Sequence, residues 1–172
     1  MSAPANPASE NPPHPPFAKG GRRASGGGIS SRYKRPESVL VVVYTAADEV
    51  LVLLRRQPPD FWQSVTGSLR WDETDSLAAA RRELWEETGL GDGVSIIDCN
   101  AINRFPILLP WRHRYAPDAV ENIEHVFRTC LPERQPIVLN QAEHCEYLWL
   151  PRQTAATMVT SWTNRNAILA LP

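Results

Sequence analysis

The stretch Arg82-Glu-Leu-Trp-Glu-Glu-Thr-Gly-Leu90 decides the expected fold of this chain. Residues at positions i, i+3 and i+4 of a helix share one face, so the carboxylates of Glu83, Glu86 and Glu87 converge. Each crowded pair of like charges costs a bare helix about 0.2–0.5 kcal/mol. A hard divalent cation such as Mg²⁺ prefers oxygen ligands and removes this cost. The stretch therefore predicts a metal-binding helix face, and the alternative is a solvated acidic face balanced by neighbouring arginines.

Length and composition are typical of one globular domain. The chain has 172 residues, of which 42% are hydrophobic and 22% charged, values that fit a single hydrophobic core. A formal net charge of −1 favours neither a nucleic-acid partner nor an anionic membrane. No run approaches the roughly 18 apolar residues of a membrane span, and we see no signal peptide. No sequence feature specifies an oligomeric state.

The three cysteines, Cys99, Cys130 and Cys145, are widely spaced and odd in number. They form no CxxC-type metal pair and indicate no disulfide framework. We therefore expect buried free thiols in a reduced, cytoplasmic protein.

Residues 1–32 are dominated by Pro, Gly, Ser, Asn and Ala. Such a segment cannot bury enough apolar surface to offset the entropy that it would lose on ordering. We expect a disordered, inert tail here, with partner binding as the alternative, and one domain over residues 33–172.

Apolar and β-branched runs predict the strands. Val39–Tyr44 is typical of a strand buried on both faces, and Val50–Leu54 of its antiparallel partner. Further strands are expected at Phe61–Thr66 (ended by Gly67), Val94–Cys99, Ile123–Leu131 and Glu146–Leu150.

Two helices complete the expected fold. The first runs from about Asp75 to Thr88, with N-cap candidates in residues 72–75 and Gly89 suited to a left-handed C-terminal position. The second covers about Arg152 to Leu169, and residues 103–122 are expected to form a long loop. Strands before and between helices favour an α/β (α+β) fold, with a mixed β-sheet sandwiched between α-helices.

The stretch Gly67-Ser-Leu-Arg-Trp-Asp-Glu73, followed by Arg82–Leu90, resembles the Nudix box, the signature of the Nudix hydrolases. The second half matches the family pattern at every specified position. In the first half, eight residues lie between Glu73 and Arg82, whereas the family has seven. A one-residue insertion ahead of the helix accounts for the difference and leaves the helix itself undisturbed.

By this resemblance, three residues support the box structurally. Gly67 opens the motif, and Glu73 typically pairs with Arg82 in the family. Because of the extra residue, Asp72 and Asp75 are alternative partners for the arginine.

Segments outside the box make the resemblance more specific. They are Tyr33–Pro36, Asp60–Ser68, Arg112–Pro117, Glu143-His144 and Ser161–Arg165. They look like the bacterial dihydroneopterin triphosphate pyrophosphatases of folate synthesis. The resemblance implies hydrolysis of a pterin triphosphate to the monophosphate and pyrophosphate, with Mg²⁺ or Mn²⁺ and an activated water.

The resemblance also implies which carboxylates act. Glu83 and Glu87 are the expected direct metal ligands, and Glu86 is a third or shared ligand. Glu143 is a candidate ligand or general base, whereas His144 is expected to be a structural neighbour.

Four polar residues are candidates for phosphate binding. Lys34, Arg55 and Arg114 carry the positive charge, and guanidinium groups suit bidentate phosphate contacts. Thr66 can donate its hydroxyl to a phosphate or to the pterin. Taken singly, each could instead be an ordinary surface or strand residue.

Three aromatic residues, Phe105, Tyr115 and Trp162, are candidate walls for a flat heterocycle, because aromatic faces stack on such rings. The alternative for each is packing in the core.

Two other functions stay open at this point. A purine could take the place of the pterin, which would make the protein a (deoxy)nucleoside triphosphate pyrophosphatase acting, for example, on dATP. A catalytically silent module that binds nucleotide or protein is the other alternative. Such a module has no need to hold Glu83, Glu86 and Glu87 together.

Overall fold

A computed structural model describes residues 32–91 and 93–172 of the chain. The tail expected over residues 1–32 lies, apart from Arg32, outside the described residues. Within these residues, no helix is long and apolar enough to cross a membrane.

Seven strands form one mixed sheet. They are β1 (Glu37–Thr45), β2 (Glu49–Arg55), β3 (Trp62–Gln63), β4 (Val65–Ser68), β5 (Ile97–Pro106), β6 (Glu121–Leu131) and β7 (His144–Pro151). Their main order is β3-β2-β1-β6-β5, with β4 also paired to β1 and β7 to β2. The β1–β6 pair is parallel and the other pairs are antiparallel. The expected mixed sheet is confirmed.

The strands β1 and β2 change partners along their length. They pair with each other at Tyr44 and Val50, beside the turn that joins them. Farther from the turn, Ser38–Val41 of β1 pairs with β4, and Leu53-Leu54 of β2 pairs with β3. This change of partners brings β3 and β4 into the middle of the sheet, where their side chains line the site described below.

Helices cover both faces of the sheet. They are α1 (Ser76–Thr88), α2 (Leu109–Arg112), α3 (Arg152–Met158) and α4 (Trp162–Leu169). On one face, Leu84 of α1 packs with Val39 and Phe127 in a buried cluster. On the other, Ile168 of α4 packs with Val42 in a second cluster. The expected sheet sandwiched between helices is therefore confirmed.

Helix α1 begins and ends where its sequence signals predict. The side chain of Asp75 caps it by accepting a 2.9 Å hydrogen bond from the backbone N–H of Leu77. Gly89 ends it with a φ of 72° and donates its N–H to the carbonyl of Trp85 at 2.9 Å. These two ends fix the register in which the glutamates of α1 meet the sheet.

The prediction of a long loop over residues 103–122 is wrong. Strand β5 continues to Pro106, the short helix α2 follows, and β6 begins at Glu121. The strand expected at Val94–Cys99 also begins later, at Ile97. The reason is that β5 lies at the sheet edge beside β6 alone and is largely exposed, so it lacks the apolar pattern of a buried strand.

The prediction of a single C-terminal helix over residues 152–169 is also wrong, because this segment forms two helices, α3 and α4. The backbone N–H of Thr160 donates to the carbonyl of Trp62 at 2.9 Å, and the Thr160 hydroxyl accepts from the N–H of Trp62 at 3.1 Å. Ser161 then caps α4 by accepting from the N–H of Asn164. Contacts with a segment distant in sequence therefore override the local helical preference.

Gly67 does not end a strand as expected but lies inside β4, opposite Val39 of β1. Because Gly67 has no side chain, the carboxyl group of Glu83 can lie against its backbone. A Cβ at this position would lie only 1.8 Å from the carboxyl carbon of Glu83.

All three cysteines are free, as expected, but the expectation that they are buried is wrong. Cys130 and Cys145 are exposed and Cys99 is half-buried. Strand alternation explains two of them, because Cys130 follows the buried Thr129 and Cys145 follows the buried His144.

Candidate active site

One cavity of about 360 Å³ gathers residues from strands that are far apart in the sequence. All four polar candidates for phosphate binding line it: Lys34, Arg55, Thr66 and Arg114. The three candidate aromatic walls, Phe105, Tyr115 and Trp162, line it as well. The structure therefore brings together residues that the sequence separates by more than a hundred positions.

Aromatic lining extends beyond the three expected walls. Trp111, in α2, also faces the cavity, and its ring packs edge-on against Phe61 with the centroids 5.3 Å apart. Sequence reasoning missed this pair because residues 103–122 were expected to be a loop. Trp162 lies at the start of α4, lines the cavity and is 55% exposed.

The three cations form a positive end of the cavity. The backbone N–H of Lys34 donates to the carbonyl of Arg114 at 2.8 Å, which ties the N-terminal segment to the chain after α2. Burial and the nearby Arg114 and Arg55 lower the pKa of Lys34, while Glu143 and Glu83 act in the opposite direction. A phosphate chain entering here would compensate charges that repel one another.

A second group of residues supports α1 from outside the cavity. Nε and Nη2 of Arg82 donate to the two carboxylate oxygens of Glu73 at 2.7 and 2.9 Å. These hydrogen bonds hold the pKa of Glu73 below its ordinary value. Despite the extra residue in the loop, Glu73 itself pairs with Arg82, and Asp75 serves as the helix cap.

Glu83 lies between Arg82 and the strand β4. Its Oε1 accepts from Nη1 of Arg82 at 2.6 Å, and its carboxyl group rests against the backbone of Gly67. Burial raises the pKa of Glu83 to about 7, helped by the nearby Glu87 and Glu86 and opposed by Arg82. The three glutamates of α1 are thus close enough to affect one another's charge, as their spacing predicts.

Glu86 occupies the outer side of this group. It accepts from Nη2 of Arg70 at 2.9 Å and from Nη1 of Arg82 at 3.2 Å. Its carboxylate is therefore compensated by two guanidinium groups, in contrast to that of Glu87.

Glu87 is fully buried, and its side chain points from α1 towards β4 and β7. One carboxylate oxygen, Oε2, accepts a 3.3 Å hydrogen bond from the N–H of Thr66 and lies 3.4 Å from Nε2 of His144. The other, Oε1, has no hydrogen-bond partner among the described residues. Burial raises the pKa of this carboxyl group, because the charged form loses its hydration.

A short segment holds Glu143 and His144 against the end of α1. The N–H of Val138 donates to the carbonyl of Thr88 at 2.9 Å, and the N–H of Asn140 donates to the carbonyl of Glu87. The carbonyl of Asn140 then accepts from the N–H of His144 at 2.9 Å. Residues far apart in the sequence are thereby fixed beside one another.

Glu87, Glu143 and His144 offer ligand atoms that all lie within 4.8 Å of one another. The orphaned Oε1 of Glu87 is costly to bury. Neither ring nitrogen of His144 forms a hydrogen bond among the described residues, although Nε2 lies 3.4 Å from Oε2 of Glu87. Glu143 is half-exposed and lies 3.9 Å from Arg55. A divalent cation fits this group, since carboxylate oxygens are its preferred ligands.

The polar residues of the cavity that sequence reasoning missed include Gln63, Asn122 and Glu124. All three are buried. The available signal was the spacing of Asn122 and Glu124, which places both side chains on one face at the start of β6.

The chain was compared with known families and proteins. A family model of the NUDIX domain matches residues 34–170. The dihydroneopterin triphosphate diphosphatase of Escherichia coli is 45% identical over 140 residues, which cover 79% of this chain and 91% of that protein. The enzyme of the same name from Haemophilus influenzae is 40% identical over 144 residues, covering 81% and 89% of the two chains.

Solved structures agree with this assignment. The structure of the E. coli dihydroneopterin triphosphate pyrophosphohydrolase matches with a TM-score of 0.74 and 45% identity, over 79% of this chain and 94% of that one. A NUDIX hydrolase structure from Listeria monocytogenes, at 22% identity and a TM-score of 0.67, covers 78% of this chain and 90% of its own and shows the shared fold. By its matched residues and its fold, this chain is a member of the NUDIX hydrolase family.

Proposed function

We propose that this protein hydrolyses dihydroneopterin triphosphate to dihydroneopterin monophosphate and pyrophosphate, with Mg²⁺ or Mn²⁺, as a step of folate biosynthesis. The observation that carries the proposal is a cavity lined by three cations, by aromatic walls and by Glu143, which also belongs to the group that can hold a metal ion. The two relatives named for this reaction support it, because each aligns with about four-fifths of the chain.

The cations bind the triphosphate in this proposal. Lys34, Arg55 and Arg114 line one region of the cavity, so the phosphate oxygens can contact several donors at once. Thr66 adds a hydroxyl at the point where β4 meets this region. The flat ring then lies towards the aromatic walls.

The carboxylates hold the metal and the water. Glu83 and Glu87 are the proposed direct ligands and Glu86 is a shared one; of these, Glu87 belongs to the group whose ligand atoms lie within 4.8 Å of one another. His144 orients Glu87 through the contact between Nε2 and Oε2. A bound divalent cation supplies neutralisation of phosphate charge and lowers the pKa of a coordinated water.

Water adds across the bond between the α- and β-phosphates, so one product is the monophosphate and the other is pyrophosphate. Glu143 is the proposed general base that takes the proton of this water, because its half-exposed carboxylate lies at the cavity. Arg55, beside Glu143, carries a positive charge that compensates the charge of the phosphates.

A substrate panel tests the proposal. We expect pyrophosphate release from dihydroneopterin triphosphate with Mg²⁺ or Mn²⁺, abolished by a chelator, and a kcat/KM at least about tenfold above that for dATP. A preference for dATP would favour the nucleoside triphosphate alternative and contradict the proposal. Binding of Mg²⁺ and of the pterin without any turnover would indicate a silent module instead.

A further inference from the structure

The segment of residues 33–36, directly before β1, carries Lys34, which lines the cavity. Strands β1 and β4 are antiparallel, with Ser38 opposite Ser68. The residues that precede β1 and those that follow β4 therefore leave the sheet at the same end. The residues that follow β4 are the loop of residues 69–75, called the box loop below, which leads into α1. This loop thus lies beside the segment that carries Lys34.

Backbone contacts fix the segment as far as Pro36. The N–H of Leu69 donates to the carbonyl of Glu37 at 2.9 Å, which extends the pairing of β1 and β4 by one residue. On the other side, the N–H of Ile123 in β6 donates to the carbonyl of Pro36 at 3.0 Å. Residues 33–35 lie beyond this pairing, so their position depends on other contacts.

Trp71 provides the first of these contacts. Its Nε1 donates to the carbonyl of Tyr33 at 2.8 Å, although Trp71 is 50% exposed. The indole N–H is the only hydrogen-bonding group of a tryptophan side chain. Trp71 therefore uses this group to bind the residue immediately before Lys34.

Arg35 provides the second contact. Its Nη1 donates to the carbonyl of Glu73 at 2.6 Å and to that of Arg70 at 3.4 Å. Its Nη2 donates to the carboxylate of Glu37. A guanidinium group suits this arrangement, because its donors form a rigid planar fork. The residue immediately after Lys34 is thereby bound to two carbonyls of the box loop.

Lys34 lies between these two anchors. Its ammonium is close enough to Glu83 and Glu143 for their charges to act on it, and to Arg114 and Arg55 as well. It therefore lies where the proposed phosphate-binding cations meet the carboxylates. A lysine side chain is a point charge on a flexible stem, so the backbone that carries it decides which atoms it can reach.

The box loop is itself tied to α1 through Glu73. The carbonyl of Glu73 accepts from Arg35, while its carboxylate accepts from Arg82. Arg82 in turn donates to Glu83. One residue of the loop therefore connects the segment that carries Lys34 to the helix that carries the proposed metal ligands.

We infer that Arg35 and Trp71 are positioning residues, which hold the segment of residues 33–36 against the box loop so that the ammonium of Lys34 contacts the phosphate chain beside the metal. The inference rests on the proposed function only in that the substrate carries a chain of phosphates. The competing explanation is that these contacts stabilise the box loop and α1 without affecting Lys34.

Arg35→Lys tests the inference without changing the net charge. Lysine cannot reproduce the fork of donors, and a misplacement of about 1 Å can cost a factor of about a hundred. We expect the affinity for inorganic tripolyphosphate, measured by calorimetry at saturating Mg²⁺, to fall at least about tenfold. The KM of the substrate should rise while kcat changes little. An unchanged tripolyphosphate affinity would overturn the inference.

The matched control is Arg134→Lys. Arg134 also pairs with a glutamate, Glu49, but it is not among the residues that line the cavity. We expect this variant to keep the wild-type affinity for tripolyphosphate and the wild-type KM. An equal loss in the control would show that the effect of Arg35→Lys is not specific to the segment, and would overturn the inference.

Trp71→Phe tests the other anchor and covers the case in which Arg35→Lys fails to fold. It removes one hydrogen bond and keeps an aromatic ring, so we expect tripolyphosphate affinity to fall at least about threefold. Lys34→Met, alone and combined with each variant, completes double-mutant cycles. Neither Arg35→Lys nor Trp71→Phe should weaken binding further once Lys34 is replaced. Additive losses, or a wild-type affinity in Lys34→Met, would overturn the inference.

Mg²⁺ binding without phosphate separates this role from support of α1. If Arg35 and Trp71 act through Lys34, both variants keep the wild-type Mg²⁺ affinity. A loss of Mg²⁺ affinity as large as the loss of tripolyphosphate affinity would show that they support α1, and would overturn the inference. Neither measurement depends on the ring of the substrate. If the wild type prefers dATP to the pterin, the proposed function fails and these measurements still decide the inference.

Discussion

Gly67→Ala tests whether the proposed metal site depends on the close approach of β4 to α1. A Cβ added at Gly67 would lie 1.8 Å from the carboxyl carbon of Glu83 and 2.0 and 2.3 Å from its two oxygens. These are the three nearest atoms, so the new methyl group meets this carboxylate before anything else. Gly67 has no positive φ, and alanine can therefore adopt its backbone conformation without strain.

The displacement follows from the distances. Two carbon atoms in contact lie about 3.5 Å apart, so the carboxyl carbon of Glu83 must retreat by roughly 1.7 Å. A magnesium ion requires ligands at about 2.0–2.1 Å in near-ideal geometry, so a shift of this size removes Glu83 as a ligand. A misplacement of about 1 Å at a reacting centre can cost a factor of about a hundred, and we expect at least that loss of kcat/KM.

Stability should change little in the same variant. Replacing glycine by alanine at a compatible position contributes about 0.4–1 kcal/mol by restricting the unfolded chain. Against this, the moved carboxylate loses its contact with Nη1 of Arg82, although Arg82 keeps Glu73. The two effects oppose each other, so we expect the melting temperature to change by no more than about 5 °C.

The assay combines Mg²⁺ titration of pyrophosphate release, calorimetric Mg²⁺ binding and thermal unfolding. Glu83→Gln and the double variant Gly67→Ala/Glu83→Gln complete a cycle that isolates the coupling between the two residues. If Gly67→Ala acts only by displacing Glu83, adding it to Glu83→Gln should weaken Mg²⁺ binding little further. Wild-type Mg²⁺ affinity in Gly67→Ala, or additive losses in the double variant, would refute the reasoning.

Three further predictions concern the box and the tail. Glu87→Gln should keep the fold and lower kcat at least about a hundredfold, with the exposed Glu146→Gln as a near-normal control; near-normal turnover of Glu87→Gln at saturating Mg²⁺ would contradict this. Hydrogen bonds from Arg82 lower the pKa of Glu73 from the ordinary 4.5, so Glu73 stabilises the fold above that pH and this contribution is lost as the pH falls through the folded-state pKa. Urea unfolding should thus show a smaller acid-induced loss of stability in Glu73→Gln than in wild type. Equal losses in the two proteins would show that the Glu73 carboxylate does not stabilise the fold. Deleting residues 1–32 should leave kcat and melting temperature nearly unchanged, and a large drop in either would show that the tail contributes.

Helix α1 could be predicted because its signals are local. The cap at Asp75, the three glutamates and the terminal Gly89 all lie within one short stretch of sequence. The pairing of Glu73 with Arg82 could not be decided in the same way. It depends on how the loop of residues 69–75 folds back onto the helix, and the sequence alone left three carboxylates as candidates.

Prediction failed where contacts between distant segments decide the structure. The C-terminal helix is broken by hydrogen bonds between Thr160 and Trp62, which lie about a hundred residues apart. Strand β5 exists because β6 offers it an edge, although its own side chains are mostly exposed. Neither partner is visible in a local pattern.

Two buried polar residues of the cavity were missed for a related reason. Along β6, Asn122 and Glu124 flank the apolar Ile123, as the outward-facing residues of a half-exposed strand would. They are buried because the start of α4 and the strands β1 and β5 surround that part of the sheet. Their burial is a property of the assembled sandwich and not of the strand.

The strand β4 joins the two halves of the site. Gly67 lies opposite Val39 and faces α1, where its missing side chain admits the carboxylate of Glu83. Its neighbour Thr66 lies opposite Leu40, lines the cavity with its side chain, and donates its backbone N–H to Glu87. Because successive residues of a strand point to opposite faces, this short strand contributes to both the proposed metal side and the proposed substrate side. Substitutions at Gly67 should therefore change metal affinity.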